Sequence, residues 1–142
     1  EIIRRLGSDK KKASNTLLVE SITEIYRNKR YKFLKAKSRR LILVSDLYQH
    51  SEIISFFRMC EPTSKGAKRL RCPDLARTLR LNSRFANYLQ AAKPKFRKSD
   101  KIEIYYLNIS GRVDRSAEGW WRGYFNNAGL QLSSLKITPE LQ

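Results

Sequence analysis

Leu41-Ile42-Leu43-Val44-Ser45-Asp46 is the stretch whose reading decides the fold. Four apolar residues stand in a row, so both faces of a strand built from them are apolar. Continuous apolar runs mark strands of parallel sheets that are covered by helices on both sides. The run therefore predicts an interior strand, sandwiched between helical layers. Asp46 sits at its carboxyl end, the edge where open α/β sheets hold their ligands.

Working outward, Leu18, Ile22, Ile25 and Tyr26 recur at i, i+4, i+7 and i+8, the spacing of one apolar helix face. Ser14 or Asn15 is placed to cap that helix, which is expected to reach about Asn28. Beyond the strand, helical spacing resumes with Ile53, Ile54, Phe57 and Met59, and residues 61–66 read as a loop. Pro73 opens a helix that carries Leu75, Leu79, Phe85, Ala86, Tyr88 and Leu89 and ends before Pro94. Residues 102–109 predict a second strand. Ser116 caps a helix through Trp121, Phe125 and Ala128, with Gly129 as its stop, and residues 130–137 predict a last strand closed by Pro139. Strands alternating with helices argue for βαβ units and a mainly parallel sheet, a Rossmann-like three-layer sandwich of the α/β class. The 142 residues are read as a single domain.

The chain carries 30 Lys+Arg against 13 Asp+Glu, a net charge of +17. The excess lies in two blocks, residues 1–40 and 61–101, each at +9. Such asymmetry is either a solvated surface or the footprint of a polyanionic partner. The candidate nucleic-acid-binding residues are Arg27, Lys29, Arg30, Lys32 and Lys35, then Arg77, Arg80 and Arg84 as a stripe at i, i+3 and i+7, then Lys95, Arg97 and Lys98.

Catalytic chemistry finds little support. There is no Walker loop, no dinucleotide-binding glycine pattern and no Gly-x-Ser-x-Gly. Cys60 and Cys72 lack a partner His or Cys at zinc spacing and read as buried thiols. Their small number favours a reducing, cytoplasmic location. No apolar run approaches the ~20 residues that a bilayer requires. Trp120-Trp121 beside Arg122 offers a base-stacking platform; on the alternative reading one Trp is core and the other lies at its rim.

Asp46, with a hydroxyl from Thr16 or Ser14, has the donor chemistry of a divalent-cation site; the alternative is an Asp that caps its own turn through Tyr48 or a backbone N–H. The strand 41–46 with its terminal Asp resembles that of von Willebrand factor A-like domains, of a divergent bacterial kind. Ser14-Asn15-Thr16-Leu17-Leu18 resembles the loop in which those domains place a metal-binding Thr. Residues 102–109, then 120–129 and the last strand, resemble their closing β-α-β. The resemblance implies that Thr16 and Asp46 take two positions of a metal-ion-dependent adhesion site, holding Mg²⁺. The family's Asp-x-Ser-x-Ser loop is absent, and an upstream segment would have to complete the site. The chain begins at Glu1 and is read as whole or as the C-terminal portion of a larger A-like domain. A competing resemblance, of residues 118–123 to the Trp-Trp strand of an SH3 domain, leaves Ser116 and Gly129 without a role.

The sequence thus leads to a non-enzymatic binding module. Its carboxyl edge, around Ser14, Thr16, Asp46 and Ser51, is expected to face a protein partner, and its basic stripes a polyanion. The alternative is a dedicated nucleic-acid-binding protein.

Overall fold

A computed structural model describes residues 16–66, 69–107 and 116–139. The chain runs α1 (Leu18–Arg27), a 3-10 turn (Lys32–Lys35), β1 (Arg40–Ser45), α2 (Phe56–Met59), β2 (Glu61–Pro62), β3 (Leu70–Arg71), α3 (Leu75–Leu81), α4 (Ser83–Ala92), β4 (Lys101–Tyr106), α5 (Ser116–Asn127), a second 3-10 turn (Leu132–Ser134) and β5 (Leu135–Pro139). The α/β class and the parallel sheet stand. β1, β4 and β5 form one sheet in that order, both pairings parallel, with Leu41 opposite Ile102 and Ile102 opposite Leu135.

The apolar run 41–44 does not lie inside the sheet. Among the described residues β4 is the central strand and β1 is an edge. Leu41, Ile102, Ile104 and Leu135 face the helices and are buried, whereas Ile42 (43% exposed), Val44 (60%) and Tyr105 (39%) lie on the other face. Among the described residues the architecture is thus two layers, not three. The continuous apolar pattern misled because Ile42 and Val44 alternate outward on a face that no described element covers.

The core is aromatic. Trp120 and Trp121 are both fully buried, together with Phe56, Phe85, Tyr124 and Phe125. Trp120 Nε1 donates to Thr78 Oγ1 at 3.1 Å and Trp121 Nε1 to the Leu47 carbonyl at 2.8 Å, so neither indole N–H is left unsatisfied on burial. Arg122 pairs with Glu118 one turn away. A base-stacking role for the Trp pair, or a rim position for one of them, is therefore corrected: both are core.

Several element boundaries differ from expectation for local reasons. α1 starts at Leu18, where Leu17 gives no side-chain cap and the fully buried Gln49 accepts from the Val19 N–H through Oε1 at 3.0 Å; the expected caps Ser14 and Asn15 lie outside the described residues. The helix expected from Pro73 to Pro94 breaks at Asn82. This residue ends α3 by donating its N–H to the Thr78 carbonyl, and opens α4 by accepting from the Phe85 N–H at 2.9 Å. The helix expected around 53–59 shrinks to α2, because Ser51 Oγ takes the N–H groups of Ile53 and Ile54 into a turn. Residues 61–66 open a hairpin, β2 with β3, rather than a plain loop. The last strand begins only at Leu135, after a 3-10 turn. Gly129 does stop α5, at φ 92°, with the Leu130 N–H reaching back to the Phe125 carbonyl. At Gly123 a Cβ would stand 3.1 Å from Leu75 Cβ, so this glycine lets α5 approach α3.

Cys60 and Cys72 are joined in a disulfide. The expectation of two free thiols is corrected, and cysteine usage no longer points to a reducing compartment. The β2–β3 ladder folds the chain back so that the residues just outside it face each other, a juxtaposition that spacing along the chain does not reveal. No helix among the described residues is long and apolar enough to cross a membrane.

Candidate polyanion-binding cleft

Two of the basic segments converge at the amino ends of β1 and β4, the edge of the sheet opposite Asp46. Arg27 and Lys29 arrive from the end of α1, where a cation also complements the helix dipole. Lys95 and Arg97 arrive from the segment that leads into β4. The four line one cleft with Tyr26, Leu34, Arg39 and Phe96, and no carboxylate is among these lining residues. All four cations are exposed.

Two of these side chains are held by backbone carbonyls. Arg27 Nη1 donates to the Lys93 carbonyl at 3.0 Å. Arg97 donates from Nη1 to the Ala36 carbonyl at 3.0 Å and from Nη2 to the Leu34 carbonyl at 2.6 Å. Each bond crosses more than 60 positions of sequence, so the guanidinium groups tie the basic segments together while keeping other N–H donors.

The floor is a buried ion pair. Arg39 donates from Nε to Asp100 Oδ1 at 2.7 Å, from Nη2 to Asp100 Oδ2, and from Nη2 to the Lys95 carbonyl at 3.1 Å. The Arg97 N–H adds a bond to Asp100 Oδ2 at 2.6 Å. The rings of Tyr26 and Phe33 lie 5.1 and 5.7 Å from the guanidinium carbon. Hydrogen bonding to Asp100 raises the Arg39 pKa, and burial pushes the Tyr26 phenol up. Arg39 is thus neutralised locally, and the field in the cleft comes from the other four cations.

The remaining predicted residues fall elsewhere. Arg30, Lys32, Lys35 and Lys98 are exposed close by in sequence but do not line the cleft. Arg77 and Arg84 line a second, larger cleft with Arg58 and Arg71, beside the β2–β3 hairpin; Arg80 does not. Arg58 was missed because it stands isolated from the dense basic runs; Arg71 lies within the basic block 61–101.

At the carboxyl edge, Thr16 and His50 exchange backbone hydrogen bonds at 2.8 and 3.0 Å, so the loop after β1 does come beside Thr16. Asp46 is exposed and its Oδ1 accepts from the Tyr48 N–H at 2.9 Å, the turn-capping arrangement. Leu47, buried at φ 60°, holds a left-handed conformation that costs a non-glycine residue energy; its N–H donates to Ser45 Oγ. Ser51 is buried and its Oγ is engaged within its own turn, which leaves it no face for a partner. Ser14 lies outside the described residues. Among the described residues no group of three or more His, Cys, Asp or Glu side chains is placed to hold a metal.

No family model, curated relative or solved structure matches the chain.

Proposed function

We propose that the chain is a non-enzymatic binding module that holds a polyanionic partner in the cleft at the amino edge of its sheet. The observation that carries this reading is the convergence of Arg27, Lys29, Lys95 and Arg97, from segments far apart in sequence, on a concave surface lined by no carboxylate among the described residues. Clustered cations in a cleft focus the field and raise the local concentration of an oppositely charged partner. Arginines held by backbone carbonyls spend less conformational entropy on binding than free side chains do. A nucleic acid duplex carries one negative charge per ~1.7 Å of its axis, and it serves as the first probe.

The test is anisotropy titration of labelled duplex DNA, RNA and heparin over a salt series. Binding is expected to weaken steeply with salt, as counter-ion release requires. The double change Lys29→Glu/Lys95→Glu is expected to weaken it far more than reversal at Arg80, which lies outside both clefts. Absence of binding to all three probes at low salt would overturn the proposal, as would binding indifferent to the double change.

The von Willebrand A-like kinship is proposed as the finer reading of the α/β fold. The parallel sheet, with Asp46 just past β1 and Thr16 bridged to the loop beyond it, supports that kinship. The uncovered sheet face among the described residues weighs against it.

A further inference from the structure

β1 has a strand neighbour on one side only among the described residues. Its hydrogen bonds to β4 use the odd-numbered residues. The Arg39 carbonyl accepts from the Lys101 N–H at 3.0 Å, and the Ser45 carbonyl from the Leu107 N–H at 2.9 Å. Strand geometry therefore turns the N–H and C=O groups of Ile42 and Val44 toward the outer edge. Natural edge strands are commonly blunted by Lys, Pro or a bulge. β1 carries none of these between Leu41 and Val44, and its outward side chains Ile42 and Val44 are 43% and 60% exposed.

We propose that this edge pairs with the same edge of a second copy of the chain, antiparallel and centred on Leu43. The sequence of the strand is self-complementary in that register. Ile42 faces Val44 of the second copy, and the outward-pointing backbone groups of the two are the ones that bond. Arg40 faces Asp46 of the second copy, and the two-fold axis repeats each pair. Arg40 already donates to Glu103 on β4 at 2.6 Å, so in the pair its guanidinium lies between two carboxylates. Shifting the register by two residues in either direction removes the Arg40–Asp46 match, and shifting by one turns the wrong backbone groups toward the partner. The two three-stranded sheets become one six-stranded sheet, in which the apolar row Ile42, Val44 and Tyr105 is continuous across the axis.

Sedimentation equilibrium at about 0.15 M salt, where screening is effective beyond ~8 Å, tests this. The expected result is reversible association from 16.7 kDa to twice that mass. Arg40→Glu and Asp46→Arg should each shift association to at least tenfold higher concentration, and the double variant should recover it, because the swap restores opposite charges across the axis. Val44→Lys, on the solvent face and away from the core, should also dissociate the pair without lowering the melting temperature of the monomer. A wild-type chain that stays monomeric throughout the concentration series would overturn the proposal. So would dimers indifferent to the single changes, or single changes that the double variant does not rescue.

Discussion

Arg39 and Asp100, 61 positions apart, form a bidentate ion pair with side chains that are 3% and 0% exposed. The pair stands directly before β1 and β4, and the Lys101 N–H donates to the Arg39 carbonyl alongside it. It therefore sets the register in which the two strands begin, as well as the floor of the cleft.

Removing one partner leaves a buried charge without compensation, which costs about 3–5 kcal/mol. Asp100→Asn is expected to destabilise the chain by that amount in urea denaturation. The half-buried i, i+4 pair of Arg122 with Glu118 supplies the contrast: Glu118→Gln should change stability by no more than about 0.5 kcal/mol. Equal effects of the two changes would contradict the structural role given to Asp100.

The Cys60–Cys72 disulfide closes a short loop, and removing such a cross-link frees the unfolded chain by about 3 kcal/mol. Cys60→Ser/Cys72→Ser should melt at lower temperature, and a reducing agent should move the wild type to the same value. Alkylation of native protein without reductant should label neither cysteine; labelling of both would refute the bond.

Glu103 accepts from Arg40, and that hydrogen bond holds its carboxyl below the usual glutamate range. A depressed folded-state pKa stabilises the fold above the ordinary value, and the contribution is lost as pH falls through the lowered one. In an NMR titration the Glu103 carboxyl should move back up toward its ordinary midpoint in Arg40→Gln. An unchanged midpoint would show that the pair does not form in solution.

Asp46 Oδ1 accepts from Tyr48, and the described residues bring no third acidic or histidine ligand to it. Mg²⁺ is therefore expected to leave the melting temperature of this chain unchanged. A rise that disappears in Asp46→Ala would re-establish the cation site that the A-like resemblance implies.

The helix faces were legible because their signal is local. Leu18, Ile22 and Tyr26 point one way whenever the backbone is helical, and all three are buried. Gly129 as the stop of α5 was legible for the same reason, since only the backbone at that residue decides it. The partner at the start of α1 was not: Gln49 serves it from 30 positions away. The disulfide likewise depends on a two-residue ladder that no periodicity announces. Among the site residues, composition identified the cations, but only folding sorted them. Arg27 and Arg97 share a cleft, Arg77 and Arg84 share another, and Arg39 lies buried beneath the first.

The amino-acid sequence by itself determined the α/β class, the positions of most elements and the sign of the surface charge. Each follows from side-chain periodicity and composition, which act within a few residues or over the whole chain. Tertiary structure alone decided that, among the described residues, β1 is an edge and one face of the sheet is open, and which cations meet. Those outcomes depend on strand order and long-range pairing, where residues some 60 positions apart become neighbours and no local pattern carries the information.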